Sequence, residues 1–184
     1  MLPKIKKLKN GDTAVFRHLK REDLDEIWEI FNKVVSEMKY IPVINPVTSR
    51  FEKENWYYRQ KEENNIVIVA ELENPNQIIG QCMIEHIGWD AAIHVGELGI
   101  IVDPAYRNIG VGKTLIQEAL NAASKKLFEK VILSCFHTNL HALNLYKKVG
   151  FQEVGCRKEQ FKLNGTYYDE ILMELYLKDF KYRE

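Results

Sequence analysis

The sequence has no surplus of charge. Its 26 Lys and Arg residues are matched by 26 Asp and Glu residues, so no global basic field draws it to nucleic acid. The N-terminal KIKKLKN is a local basic patch and reads as a solvated tail. Cysteine is scarce. Cys82, Cys135 and Cys156 are odd in number, far apart and lack a Cys-x-x-Cys pair, which argues against a disulfide framework and against a zinc site. Each reads as a reduced residue in or near a strand. Long apolar runs are missing too: none approaches the roughly 18 residues that a membrane span needs, and the N-terminus lacks the apolar centre of a signal peptide. A cytoplasmic chain is expected, with neither membrane nor nucleic acid as partner. No repeat and no Ser/Gly-rich linker divides the chain, so 1–184 reads as one domain with length enough for a sizeable core.

What is present reads as alternating elements. TAVFRHL is a strand, and REDLDEIWEIFNKVVSEM is an amphipathic helix with Leu24, Ile27, Trp28, Phe31, Val34 and Val35 at helical spacing. KYIPVINPVTS is a loop, and RFEKENWYYRQKEE is a second, more polar helix. Three strands follow: NIVIVAEL, IIGQCMIEHI and HVGELGIIVDP, the last stopped by Pro104. GVGKTLIQEALNAASKK is a helix, KVILSCF a strand, NLHALNLYKKV a helix and GFQEVGCRKEQFKL an extended arm. Asn164-Gly165, between that arm and TYYDEILMELYL, is a hairpin signal. The order β-α-α-β-β-β-α-β-α-β-β predicts an α/β (α+β) fold with a mixed central sheet of about seven strands flanked by helices. It departs from the regular βαβαβ order of a dinucleotide fold.

The segment Arg107-Asn108-Ile109-Gly110-Val111-Gly112-Lys113-Thr114 is built to hold phosphate. Without a Cβ at 110 and 112 a diphosphate can approach the backbone closely. The amides of residues 108–113 lie at a helix N-terminus and can donate to phosphate oxygens, and Arg107 and Lys113 add charge. A Walker A loop is not formed, because Arg107 stands where its first glycine belongs. The dinucleotide fingerprint fails as well, with Leu115 in place of the third glycine. An isolated Gly-x-Gly would most simply be a tight strand-to-helix turn.

This one is followed at a fixed distance by a second motif. Arg107-x-x-Gly110-x-Gly112 after a strand, then Asn139-x-x-Ala142-x-x-Leu145-Tyr146 on a helix and Gly150-Phe151 beyond it, resemble the GNAT superfamily of N-acetyltransferases. The resemblance covers roughly residues 78–177. It implies the acyl-CoA N-acyltransferase fold, with residues 97–150 as the acetyl-CoA-binding core, 21–63 as a helical wall of the acceptor site and 151–177 as a C-terminal hairpin. It implies acetyl-CoA as cosubstrate, no metal, and backbone contacts from Ile100, Ile101 and Val102 to the pantetheine arm. The loop residues 107–114, with Asn139, Ala142 and Tyr146, complete the implied coenzyme site. Exposed sheet edges and the family's habit leave a homodimer among the expected assemblies.

The reaction implied is direct attack of a primary amine on the acetyl thioester. An alkylamine of pKa near 10.4 is only about one part in 2,500 neutral at pH 7, so it must lose a proton, and the leaving thiolate must gain one. By motif position Tyr146 is the expected acid, although a tyrosine there also packs a helix on a sheet. Glu97, on the strand leading to the loop, resembles a glutamate that family members use as base or amine contact; a plain salt bridge is its third reading. Glu85, His86 and His94 are alternatives. Asn139 reads as a coenzyme contact, a helix cap, or both. The closing hairpin is similar to the polyamine and ribosomal-protein N-terminal branches, and free amino acids also stay open as acceptors. A coenzyme A sensor or scaffold without turnover is the alternative function.

Overall fold

The computed structural model describes residues 2–182. Its elements run β1 (Lys4–Lys7), β2 (Thr13–His18), α1 (Leu24–Ser36), α2 (Arg50–Glu62), β3 (Ile66–Leu72), β4 (Gln77–His86), β5 (Val95–Val102), α3 (Val111–Ala123), β6 (Lys130–Phe136), α4 (Leu140–Val149), β7 (Gln152–Leu163) and β8 (Thr166–Tyr176). One sheet holds all eight strands in the order β1-β2-β3-β4-β5-β6-β8-β7. Neighbours are antiparallel except β5 and β6, which are parallel and therefore need the α3 crossover between them.

The mixed sheet has eight strands rather than about seven, and the additional one is β1. KIKKLKN is not a solvated tail. Lys4 to Lys7 pair with Phe16 to Thr13 of β2, and Leu8 beyond them is buried. Its alternation runs against the usual pattern, since Lys4 and Lys6 are half-buried and Ile5 is exposed. The reason lies in α3, whose Glu118 carboxylate and Thr114 hydroxyl receive the two ammonium groups.

Each face of the sheet carries one helical layer. Along β4 and β5 side chains alternate between faces. Cys82, Ile84 and Leu98 meet α3 in the larger core, with Leu115, Ile116, Ala119 and Leu120 fully buried there. Met83 and Ile101 meet α1 on the other face, through Ile27, Ile30 and Val34. Burying each such large apolar side chain stabilises the fold by roughly 1.5–3 kcal/mol. α2 is polar and lies beside α1 on the same face, its buried Gln60 donating to Glu85 of β4; Trp56 packs edge-on against Trp28 with ring centroids 5.6 Å apart. The Asn164-Gly165 turn joins β7 to β8 with φ of 48° and 81°, as a two-residue hairpin with both central residues left-handed requires.

β5 is the element that positions the site. It pairs β4 along its length, from His86↔Gly96 to Gly80↔Val102. Against β6 it pairs only at Val95↔Lys130, Gly96↔Val131 and Glu97↔Ile132. Beyond Glu97 the two strands part, while β6 stays paired to β8 as far as Phe136↔Glu170. The sheet is thus forked, and the β5 edge over residues 98–102 turns N–H and C=O groups toward the gap instead of toward a strand.

Candidate active site

The loop that follows β5 closes the open end of the fork. Asn108 and Gly110 both have positive φ, 66° and 101°, and Gly110 is the N-cap of α3. A Cβ on Gly110 would meet nothing within 4 Å, so the space above the α3 N-terminus is open. A Cβ on Gly112 would lie 3.5 Å from Leu145 Cδ2 and 3.8 Å from Ile100 Cδ1 and Val102 Cγ2, in the gap between α3, α4 and β5. Open space over a helix N-terminus, lined by free amides, fits a phosphate group.

The predicted loop residues divide by what faces outward. Asn108 and Lys113 have exposed side chains, whereas Val111 and Thr114 are buried and could serve a ligand only through the backbone. The Thr114 hydroxyl donates to Gly110 O at 3.1 Å and accepts from Lys6 Nζ at 3.2 Å. Ile109 packs on the core, and its carbonyl accepts from Lys9 N. Arg107 is fully engaged within the chain. Its Nη1 and Nη2 donate to both Glu37 oxygens, its Nε donates to Val102 O at 3.2 Å, and its guanidinium lies 4.7 Å from the Tyr40 ring centroid. Together with Lys33–Asp103 at 3.1 Å, this pair straps the end of α1 to the β5–α3 connection.

Glu97 stands at the apex of the fork, on the face covered by α1 and α2. Its side chain is exposed and has no hydrogen-bond or ion-pair partner among the described residues. Partial withdrawal from water, then the Glu85 and Glu170 carboxylates, hold its pKa above the ordinary carboxylate range. Glu85 is its direct cross-strand neighbour. The surrounding carboxylates are all taken: Glu85 by Arg59 and Gln60, Glu170 by Arg157, and Asp169 by Lys158. Of the histidine alternatives, His86 stacks on Phe128 with centroids 4.4 Å apart, and His94 is an exposed loop residue whose carbonyl receives Glu129 N.

Tyr146 lies on α4, which Asn139 caps by accepting from Ala142 N at 3.2 Å. Gly150, with φ of 122°, ends that helix. The phenol is buried among the Cys82 and Cys135 side chains and the Phe151 ring; burial, then those two thiols, push its pKa well up. Ala142 packs at the edge of the same core. Tyr146 and Glu97 therefore lie on opposite faces of the sheet, and the fork is where the two faces communicate.

The Acetyltransferase (GNAT) family sequence model matches residues 24–151 of the chain. The chain belongs to the GNAT family. This member is 27% identical to the L-amino acid N-acetyltransferase of Escherichia coli over 161 residues, covering 86% of this chain and 95% of that one. It is 26% identical to the spermidine N(1)-acetyltransferase of Vibrio cholerae, covering 88% and 76% respectively. Its fold matches a phosphinothricin acetyltransferase from Sinorhizobium meliloti in complex with acetyl-CoA, with a TM-score of 0.85, 22% identity and coverage of 93% and 92%. The GNAT member is thus an acetyltransferase by family. Among its described residues no group of three or more His, Cys, Asp or Glu could hold a metal, and no helix is long and apolar enough to cross a membrane.

The structure also brings in residues that sequence reasoning did not place. Lys39, Tyr40, Thr138 and Tyr168 line a cavity of about 250 Å³ between the α1–α2 loop, the turn before α4 and the base of the hairpin. Glu37 enters through Arg107, and Lys6 through β1. None carries a local sequence signal, because its partners lie far away along the chain, 70 residues from Glu37 to Arg107 and 108 from Lys6 to Thr114.

Proposed function

We propose that the protein transfers acetyl from acetyl-CoA to the primary amine of an amino acid or a peptide N-terminus, in a ternary complex formed at the fork. The observation that carries this reading is Glu97, the one unpaired carboxylate of the acidic group at the point where β5 leaves β6. A polyamine presents two or more ammonium groups and calls for several free carboxylates. Here Glu85, Glu170 and Asp169 are neutralised by their own cations. Lys39, at the rim of the cavity, opposes a second ammonium and suits a carboxylate or carbonyl instead.

When bound, acetyl-CoA supplies the acetyl thioester; the chain supplies the rest. The loop amides of residues 108–113 hold the phosphates, and the β5 edge over Ile100, Ile101 and Val102 orients the pantetheine arm by backbone hydrogen bonds. Glu97 receives the proton of the incoming ammonium, and its raised pKa brings it nearer the working pH of a base. Tyr146 keeps its proton at any physiological pH and donates a hydrogen bond, then the proton, to the departing sulfur. The helices and loop of 21–63 wall the acceptor side, on the face where Glu97 stands. The chain functions as a single domain in this reading.

Thiol release from acetyl-CoA, with product masses, tests the proposal against L-amino acids, short peptides with free N-termini, and spermidine. Release with an amino acid or peptide, and about 10²-fold preference over spermidine, is expected. A preference for spermidine would refute the acceptor assignment. Tight coenzyme binding with no turnover across the panel would refute the enzymatic reading in favour of a coenzyme sensor.

A further inference from the structure

In the GNAT motif met in this sequence the charge before the glycines is Arg107, yet its guanidinium is consumed by Glu37, Val102 O and the Tyr40 ring. The cation that does stand beside the α3 N-terminus comes from elsewhere. Lys6, on the edge strand β1, is half-buried and places Nζ 3.2 Å from Thr114 Oγ1, in the first turn of α3. The nearest carboxylate on that helix, Glu118, is already held by Lys4 and by the Tyr182 hydroxyl. Lys113 is close enough to repel Lys6, and burial with the Lys4 and Lys113 charges lowers the Lys6 pKa.

A half-buried ammonium at the positive end of a helix, next to a second ammonium and without its own carboxylate, is held in an unfavourable field. An anion over that helix end would attract both ammonium groups and the helix dipole, and so offset each of these costs. The β1–β2 turn is fixed to the loop by Lys9 N donating to Ile109 O at 3.2 Å, so Lys6 is presented at a set distance from it.

We propose that Lys6 is a coenzyme-phosphate ligand and that it, with Lys113, supplies the charge which the motif arginine has given up to Glu37. This rests on the coenzyme lying along residues 107–113. On binding, the Lys6 ammonium turns from the Thr114 hydroxyl to a phosphate oxygen, and the Thr114 hydroxyl keeps its bond to Gly110 O. Arg107 in turn is a positioning residue, holding the α1–α2 wall to the end of β5.

Calorimetric titration of coenzyme A and of 3′-dephospho-coenzyme A into wild type, Lys6→Gln, Lys6→Arg and Lys4→Gln decides this. Lys6→Gln should weaken coenzyme A by roughly ten- to a hundredfold, the range for losing a hydrogen bond between charged groups, and should flatten the salt dependence. Lys6→Arg should restore most of the affinity. Lys4→Gln, which alters the same strand at its Glu118 contact, should bind as wild type. A loss that persists with the dephospho form assigns Lys6 to the pyrophosphate; a loss confined to coenzyme A assigns it to the 3′-phosphate. Unchanged affinity in Lys6→Gln, or an equal loss in Lys4→Gln, would overturn the proposal. Wild type failing to bind coenzyme A at all would instead overturn the placement of the coenzyme on the loop.

Discussion

Gly110 and Gly112 sit two residues apart, but the structure separates their roles, and alanine at each should reveal it. Gly110 has φ of 101°, and a Cβ there touches nothing within 4 Å. The penalty of Gly110→Ala is therefore backbone strain alone, about 1–2 kcal/mol for a side chain in a left-handed conformation. For a chain of this size a change of 1 kcal/mol moves the melting temperature by about 2–4 °C, so Gly110→Ala should melt about 2–8 °C lower. Gly112 is the second residue of α3, and its new methyl would make ordinary contacts of 3.5–3.8 Å with Leu145, Ile100 and Val102. Removing a helical glycine adds up to about 1 kcal/mol, so Gly112→Ala should melt no lower than wild type and as much as about 4 °C higher. Coenzyme binding should move the other way. A methyl in the gap between α3, α4 and β5 holds a diphosphate off the amides, and losing one charged hydrogen bond there weakens binding roughly ten- to a hundredfold. Thermal melts of the free proteins, set beside calorimetric titration with acetyl-CoA, read both quantities. A Gly112→Ala protein that is as stable as wild type and binds acetyl-CoA equally well would show that this glycine serves no ligand. A Gly110→Ala protein with no loss of stability would refute the left-handed N-cap.

Three further outcomes are expected. Tyr146→Phe removes only a hydroxyl from a packed site, so kcat should fall by about 10²-fold or more while acetyl-CoA affinity barely changes; an undiminished kcat in single-turnover assays would remove Tyr146 as the donor. Glu97→Gln should abolish the acid limb of the kcat/KM profile, which in wild type should lie above the ordinary carboxylate range. Because the folded pKa is raised, the stability linked to Glu97 is fully present in acid, below the unfolded pKa, and is lost as pH rises through the folded one. Urea titrations should accordingly find Glu97→Gln more stable than wild type at neutral pH, with the difference vanishing on acidification; a mutant less stable at neutral pH contradicts this. Glu37→Gln leaves the two Arg107 Nη donors short of a carboxylate at a pair only about a quarter exposed, and should lower stability by about 1–2 kcal/mol in urea unfolding.

Periodicity placed α1, α3, α4 and the strands β2 to β6, because in each the apolar residues keep the spacing of a buried face. Leu24, Ile27, Val34 and Val35 are buried as that spacing predicts, and Ile30 joins them. The hairpin was legible from Asn164-Gly165 alone, since the turn needs two left-handed residues and these tolerate it. β1 was not legible. Its inward residues are lysines, and only the location of Glu118 and Thr114 on α3 makes that face a buried one. The acidic residues of α1 differ among themselves for the same reason. Glu29 is a solvated surface residue paired to Lys33, as helix periodicity suggests, but Glu26 accepts from Ile78 N at 2.7 Å and Glu37 grips Arg107. Nothing local distinguishes the three.

The site follows the same division, with a consequence for how the GNAT motif is read. Its glycines act through backbone geometry, and this is why their spacing can be recognised in a sequence: the loop needs the absence of side chains at fixed positions, whatever surrounds it. Its arginine acts through charge, and charge can be redirected by any partner that folding brings near. Here Glu37 does so, and the guanidinium becomes a strap between the end of α1 and β5 while Lys6 stands at the helix end. Glu97 and Tyr146 are intermediate cases. Their positions follow from strand and helix register, which the sequence carries, but their use depends on the ladder between β5 and β6 ending at Glu97. Were the two strands paired to their ends, the sheet would separate the proposed base from the proposed donor. In the proposed function, the fork is what lets two residues on opposite faces serve one site.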